Sequence, residues 1–169
     1  MRVLFDRLCC PPDDFVALSL SSPVGFWVAL WSRSGDGLVS LSYVGSTPPT
    51  SSGALPSSLA SAWEEHWSGG SPSLRLLGSP RPFDLEVYRA VLDVPWGGLV
   101  TYGDLARRLG TSPRAVGSAL RRNPWPLFVP CHRVVGKGSL GGYMGAGGEG
   151  LKGALLEFEA SNPRGSPRP

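Results

Sequence analysis

The pattern of apolar residues changes halfway along this 169-residue chain, and this change constrains the fold more than any other feature. In the first half, short apolar runs and period-two alternation predict three β-strands, at 15–20, 24–31 and 38–44. A Ser-Gly-Asp-Gly stretch at 34–37 predicts a hairpin turn. A helix then follows at 56–67, with one face formed by Leu59, Ala62, Trp63 and His66.

The second half carries helical spacing instead. It predicts four short helices, at 84–94, 102–109, 113–122 and 151–160. Ser112 and Pro113 are the residue types preferred at a helix N-cap and first position, and residues 110–112 join two of these helices into a helix-turn-helix. The intervening segments are predicted as an extended apolar stretch at 126–135 and a glycine-rich loop at 136–150.

Three Gly/Pro clusters within 68–82 predict a linker between the halves. The chain is therefore expected to be an α/β protein with an N-terminal domain over 1–80, built on a small antiparallel sheet. A mostly helical domain over 81–169 is expected to follow it.

Charge is distributed unevenly between these domains. Residues 1–80 contain four arginines and six acidic residues, whereas residues 81–169 contain twelve basic and seven acidic residues. A basic half suggests a polyanionic partner, although surface charge also varies without one. No apolar run approaches a membrane span or a signal peptide, and three cysteines suit a reducing compartment. We therefore expect a soluble cytoplasmic protein with no membrane partner.

Reactive residue types concentrate at 130–134, where the sequence is PCHRV. A nucleophilic cysteine needs a base or positive charge to lower its thiol pKa, and His132 and Arg133 follow Cys131 directly. Because adjacent side chains of an extended segment point to opposite faces, a water between Cys131 and His132 is the expected proton route. The last helix offers Glu157 or Glu159 to orient His132. Alternatively, Cys131 is a small buried apolar residue.

The PCHRV segment resembles the signature of the O6-alkylguanine-DNA alkyltransferases, also called methylated-DNA–protein-cysteine methyltransferases. Further motifs resemble that family in the same order: VTYGDLA at 100–106, RAVGSAL at 114–120, Asn123-Pro124, Gly142-Tyr143 and the segment 152–159. The resemblance extends from about residue 83 to residue 159. Residues 1–80 match only in general style.

The resemblance implies a ribonuclease-H-like α/β domain followed by a winged helix-turn-helix domain. It implies that Cys131 irreversibly accepts an alkyl group from O6 of a flipped-out guanine, or from O4-alkylthymine, once per molecule. His132 would then take the thiol proton through a water, Glu159 would orient His132, and Asn123 would brace the turn before Cys131.

The same resemblance assigns residues to DNA. Arg114 would fill the gap left by the extruded guanine, and Tyr102 would crowd the 3′ phosphate of the target. Small residues along the helix predicted at 113–122 allow it to approach a DNA groove closely. The remaining DNA contacts are expected at Ala115, Gly117, Ser118, Leu120 and Arg121. The guanine pocket would be lined by Pro126, Val134, Tyr143 and Met144. The expected partner is duplex DNA carrying O6-alkylguanine, bound by a monomer that is nucleoid-associated, or nuclear in a eukaryote.

No cofactor motif is present, because the glycines at 136–150 do not follow a strand as a phosphate-binding loop requires. Some members of the family bind zinc in the N-terminal domain. Here only Cys9, Cys10 and His66 are available outside the active site, and vicinal cysteines bind a metal poorly, so we expect no metal. The loop after Tyr143 is about two residues longer than the shortest family pattern, which suggests tolerance of bulkier adducts.

Three other functions remain open from the sequence. A non-enzymatic relative would bind alkylated DNA without a reactive cysteine, which Cys131 argues against. A helix-turn-helix regulator would read bases with Arg114 and Leu120 and would carry an inert Cys131. A Cys-His hydrolase would turn over repeatedly and independently of DNA.

Overall fold

The structure is a computed structural model in which residues 2–7, 14–49, 53–143 and 148–163 are described. The chain divides into two compact units, the first ending at Ser79 and the second beginning at Pro80. An N-terminal sheet unit precedes a mostly helical unit, which confirms the predicted α/β class.

The first unit is a five-stranded sheet with one helix. Its elements are β1 (Arg2–Asp6), β2 (Phe15–Ser22), β3 (Gly25–Ser32), β4 (Gly37–Gly45), α1 (Ser57–Trp67) and β5 (Ser73–Leu77). The strand order is β1-β5-β4-β3-β2, and only β3 runs antiparallel to the others. The predicted helix face is buried, and Trp63 of α1 packs edge-on against Trp27 of β3 with ring centroids 6.4 Å apart.

Two features of this sheet differ from the sequence prediction. The sheet is mixed rather than antiparallel, because α1 crosses between β4 and β5 and such a crossover returns the chain in parallel. The predicted linker at 68–82 contains β5, in which buried Leu74 and Leu76 alternate with exposed Ser73 and Arg75. The Gly/Pro clusters on either side of β5 are typical of a linker, and the alternating pattern between them is only a few residues long.

In the second unit, the described residues form four helices, a 3-10 turn and a two-stranded parallel sheet. Its elements are α2 (Pro82–Leu92), β6 (Val100–Thr101), α3 (Tyr102–Arg108), α4 (Pro113–Arg121), a 3-10 turn (Cys131–Arg133), β7 (Val134–Val135) and α5 (Gly148–Ser161). The core lies between α2, α3 and α4 and includes Val87, Tyr88, Val91, Leu105, Val116 and Ala119.

Local sequence explains the helix-turn-helix. Thr101 caps α3 in a reciprocal box with Asp104, and Gly110, at a φ of 62°, reverses the chain after α3. Ser112 then caps α4 by accepting the N–H of Ala115, and Pro113 occupies the first helical position. The predicted start of α4 is therefore confirmed.

The prediction that residues 126–135 form an extended segment is wrong. Leu127 holds a φ of 73°, and the chain bends so that Pro126 and Val129 pair as an isolated bridge. The chain then enters the 3-10 turn, and only Val134 and Val135 are in a strand. Left-handed backbone at a leucine is strained and persists only where the surroundings fix it, and here residues 125–130 are all buried.

Candidate active site

Cys131 lies at the start of the 3-10 turn and is only 7% exposed. The Asn123 side chain holds this region together. Its Nδ2 donates to Cys131 Sγ at 3.2 Å and to the Val129 carbonyl at 3.0 Å, while its Oδ1 accepts the Trp125 N–H at 3.0 Å. Asn123 therefore connects the residues after α4 to Cys131 Sγ. It lies where the family resemblance implies a residue that braces the turn before Cys131.

The electrostatic environment of Cys131 differs from the prediction. Burial raises the pKa of the thiol from its ordinary 9.0 to about 11, although the Asn123 hydrogen bond and the charge of Lys152 act in the opposite direction. The predicted lowering of this pKa by His132 and Arg133 is wrong, because desolvation dominates and Arg133 is bound to Glu159 instead. The resting sulfur is thus a thiol at neutral pH.

His132 is fully buried beside this thiol. Its Nε2 lies 2.8 Å from Glu159 Oε1, and its Nδ1 has no hydrogen-bond partner among the described residues. Burial lowers the pKa of His132, despite the opposing influence of Glu159, so the ring is neutral at neutral pH. An ionised Glu159 requires the proton on Nε2, which leaves Nδ1 as a proton acceptor. The 3-10 turn separates adjacent side chains by about 120°, which agrees with an indirect proton route from Cys131.

The sequence offered Glu157 and Glu159 as hydrogen-bond acceptors for His132. Because Glu157 is exposed, the acceptor in the structure is Glu159. Its carboxylate also accepts hydrogen bonds from Arg133 at 2.8 to 3.2 Å and from the backbone N–H of Gly97 at 2.9 Å. Burial alone would raise the pKa of Glu159, but the bonds from His132 and Arg133 outweigh it and lower the pKa to about 2. Glu159 is therefore a buried, ionised carboxylate.

Lys152 is a site residue to which sequence reasoning assigned no role. It is fully buried on α5, and its Nζ donates to the Val134 carbonyl at 2.6 Å and to the Gly142 carbonyl at 3.5 Å. Burial lowers the pKa of Lys152, and the nearby Cys131 acts in the opposite direction. The available signal was its spacing from Leu155 and Glu159, which places a lysine on the buried helix face.

The predicted pocket residues that the structure describes are all buried. Tyr143 is 5% exposed, its ring lies edge-on to His132 with centroids 6.2 Å apart, and its hydroxyl has no hydrogen-bond partner among the described residues. Val134 and Pro126 are buried. Met144 lies outside the described residues. A buried hydroxyl without a hydrogen-bond partner is suited to a polar ligand.

Tyr102 lies between the residues around Cys131 and helix α4. The Tyr102 hydroxyl donates to the Gly142 carbonyl at 3.4 Å, and the Lys152 ammonium lies 5.6 Å from the centre of its ring. A Cβ at Gly117 would lie 3.9 Å from the same ring, so α4 packs closely beside Tyr102. Arg114, one turn earlier on α4, is exposed and forms no ion pair with any described residue.

The other predicted DNA contacts divide into two groups. Ser118 and Arg121 are exposed and Ala115 is partly exposed, so all three are accessible to a ligand. Leu120 is only 8% exposed and packs in the core, so little of its side chain is accessible to DNA in this structure. Arg122, the residue after Arg121, forms a two-pronged ion pair with buried Asp84.

Two other features are absent from the described residues. No group of three or more His, Cys, Asp and Glu side chains there could hold a metal ion, while Cys9 and Cys10 lie outside this part of the chain. Within the same ranges no helix combines the length and apolar character needed to cross a membrane.

Comparison with known proteins gives consistent matches. The family profile described as "6-O-methylguanine DNA methyltransferase, DNA binding domain" matches residues 82–161. A methylated-DNA–protein-cysteine methyltransferase of Saccharolobus solfataricus is 53% identical over 78 residues, which are 46% of this chain and 50% of the relative. The chain thus spans about half the length of the curated relatives it matches.

Solved structures match over both units. The crystal structure of the Mycobacterium tuberculosis O6-methylguanine methyltransferase superposes with a TM-score of 0.72 at 28% identity, over 90% of this chain and 96% of that one. The structure of the same protein in complex with DNA gives a TM-score of 0.68 at 30% identity, over 88% and 94%. Together with the ordered motifs around Cys131, these matches show that the chain belongs to the O6-alkylguanine-DNA alkyltransferase family.

Proposed function

We propose that this protein repairs DNA by moving the alkyl group of O6-alkylguanine in a duplex onto Cys131 Sγ, irreversibly and once per molecule. The arrangement that supports this best is the buried Cys131 thiol, held by Asn123, beside a neutral His132 oriented by Glu159. The same unit carries a helix-turn-helix with an exposed Arg114.

The reaction balances without any further reactant. The S–C bond forms as the bond from that carbon to guanine O6 breaks in an in-line displacement. The thiol proton passes to His132 Nδ1 through a bridging water, and the imidazolium then returns a proton, through water, to N1 of the departing guanine. The net change is thiol to thioether and alkylguanine to guanine, and His132 ends neutral. A thioether has no good leaving group, which makes the reaction single-turnover.

A protonated resting thiol gives His132 a defined task. With a pKa of about 11, Cys131 is about four pH units from ionisation at pH 7, which corresponds to roughly 5 kcal/mol. The proton must therefore leave as the alkyl carbon is attacked, and a neutral imidazole with a free Nδ1 suits this step. Asn123 Nδ2 would stabilise the negative charge that develops on the sulfur.

Access to O6 requires that the guanine leave the stacked duplex, which costs a few kcal/mol. We propose that Arg114 occupies the space left by the base and that Tyr102 presses on the backbone next to it. Gly117 and Ala115 permit the close approach of α4, and Arg121 contacts a phosphate. Tyr143, Val134, Pro126 and Met144 form the base pocket. We expect a monomer to act on DNA in the cytoplasm.

The test mixes the protein with a duplex containing O6-methylguanine and then measures its intact mass. We expect a gain of one methylene per molecule, on the peptide containing Cys131, with no gain for Cys131→Ser or for an unmodified duplex. A helix-turn-helix regulator with an inert cysteine would show no gain, and a Cys-His hydrolase would act repeatedly without DNA. Either result would reject the proposed function.

A further inference from the structure

Glu159 is shared by two neighbouring residues of the 3-10 turn. Its Oε1 accepts from His132 Nε2 at 2.8 Å and from Arg133 Nη2 at 2.8 Å, and Arg133 Nε lies 3.0 Å from Oε2. All three side chains are buried, with exposures of 0%, 8% and 3% for His132, Arg133 and Glu159. One carboxylate therefore faces one permanent cation and one imidazole in a water-poor site.

Arg133 is fixed by contacts outside this pair. Its Nη1 donates to the Val94 carbonyl at 2.8 Å, and its guanidinium carbon lies 5.6 Å from the centre of the Trp96 ring. The guanidinium therefore stays against Glu159 with little freedom, as a planar fork suits a carboxylate.

Charge around His132 determines whether its ring stays neutral. The charged groups that act on it are the Glu159 carboxylate and Lys152 ammonium from α5 and Arg133 from the turn. The Tyr143 ring lies edge-on to it, and the Cys131 thiol belongs to its neighbour in the chain. Without Arg133, the buried Glu159 charge would be balanced most readily by a second proton on the imidazole. That proton would occupy Nδ1, the only ring atom available to receive the Cys131 proton.

We propose that Arg133 is a positioning residue for alkyl transfer, which neutralises Glu159 and so keeps His132 uncharged with Nδ1 free to accept a proton. This inference rests on the proposed function, because it assigns the proton of Cys131 to His132. The direction of the His132 pKa agrees with it, since burial lowers that pKa and the Arg133 charge contributes in the same sense.

The first measurement follows the imidazole itself. The chain has only two histidines, so the ring chemical shifts of His132 can be titrated by NMR with His66 as an internal reference. Arg133→Gln keeps a hydrogen-bond donor but loses the charge, and we expect it to raise the His132 titration midpoint by about one to three pH units. Arg133→Lys keeps the charge and should leave the midpoint close to that of the unchanged protein.

The second measurement is the rate of alkyl transfer against pH. Below its raised midpoint, Arg133→Gln should lose about tenfold in rate per pH unit relative to Arg133→Lys, and it should recover at higher pH. A purely structural role predicts an equal loss at every pH. An unchanged midpoint in folded Arg133→Gln, or a loss independent of pH, would overturn the inference.

Two arrangements keep the test decisive. If Arg133→Gln does not fold, the double variant Arg133→Gln/Glu159→Gln removes both buried charges and should fold with a midpoint as low as that of the unchanged protein; a raised midpoint there would refute the charge argument. The NMR titration needs no alkylated DNA. If the protein transfers no alkyl group, the proposed function fails while the titration still decides the role of Arg133.

Discussion

Replacing Asn123 separates two contributions of one side chain. Asn123→Ala removes the hydrogen bonds to Cys131 Sγ and the Val129 carbonyl and the acceptor for the Trp125 N–H. Asn123→Asp has the same shape and keeps an acceptor for Trp125, but it has no N–H to donate to the sulfur. The two variants therefore differ in stability more than in reactivity.

The stability effect follows from the hydrogen bonds that each variant loses. The Val129 carbonyl still accepts the Cys131 N–H at 2.7 Å in either variant, whereas the bond from the Trp125 N–H to the side chain of residue 123 is lost in Asn123→Ala alone. A hydrogen bond contributes about 0.5–1.5 kcal/mol to stability, and Asn123→Ala loses the three bonds of this side chain. We expect Asn123→Ala to lower the free energy of unfolding by about 2 kcal/mol, as measured by urea denaturation.

The reactivity effect follows from the developing thiolate. A hydrogen bond to a charged group contributes about 1.5–3 kcal/mol, which corresponds to a rate decrease of about 10- to 150-fold when it is lost. Asn123→Asp should be at least as slow as Asn123→Ala, because its carboxylate would repel the developing charge on Cys131.

The assay is single-turnover transfer from an O6-methylguanine duplex, followed by intact mass, at a temperature where both variants are folded. Near-normal rates in both variants would refute the argument that the Asn123 N–H stabilises the sulfur. Loss of rate in Asn123→Ala alone would indicate that Asn123 acts through folding stability only.

Three further predictions follow from the same site. Arg114→Ala should slow transfer from duplex DNA by about 10- to 100-fold and should slow transfer from free O6-benzylguanine base far less, since only the duplex requires base extrusion. Lys152→Met should raise the thiol pKa of Cys131 further, measured by pH-dependent alkylation with iodoacetamide, whereas Lys137→Met, which changes an exposed lysine, should not. Because the pKa of Glu159 is depressed to about 2, its stabilising contribution is complete above about pH 4.5 and is lost as pH falls towards 2; Glu159→Gln should remove about 3 kcal/mol of this acid sensitivity in urea unfolding.

Local signals explain what could be predicted from the sequence. Ser112 and Pro113 define the start of α4 through their own backbone preferences, and the alternation at 38–44 is visible in one strand. Each of these two features is contained in a few neighbouring residues. Cys131 and His132 are likewise adjacent, whereas the choice of Glu159, 27 residues after His132, came from the family resemblance.

Features that depend on distant partners could not be predicted. β1 pairs with β5 across about seventy residues, and neither strand has enough length or alternation to be identified alone. From its neighbours, Arg122 is an ordinary basic residue at the end of a helix. In the folded chain, however, its guanidinium binds Asp84, which lies 38 residues earlier. The spacing of Lys152 indicates the buried face of α5, but it does not show that the Val134 and Gly142 carbonyls accept hydrogen bonds from the ammonium group.

The direction of the Cys131 pKa was missed for a related reason. Neighbouring His132 and Arg133 suggested a positive environment, yet burial of the whole segment and the pairing of Arg133 with Glu159 are properties of the folded chain. Desolvation is set by everything that surrounds a group, so a five-residue motif contains little information about it.

Burial opposes resting reactivity at both ends of the proposed proton transfer. It raises the pKa of Cys131 and lowers that of His132, so moving a proton from sulfur to imidazole is unfavourable before an alkyl group is present. In the proposed reaction the negative charge does not remain on sulfur, because it passes to guanine O6 as the carbon transfers and guanine then takes up a proton. The cost is therefore met only when substrate accepts the charge. A protein that is consumed by a single reaction benefits from this, since a protonated, buried thiol reacts poorly with other oxidants and electrophiles.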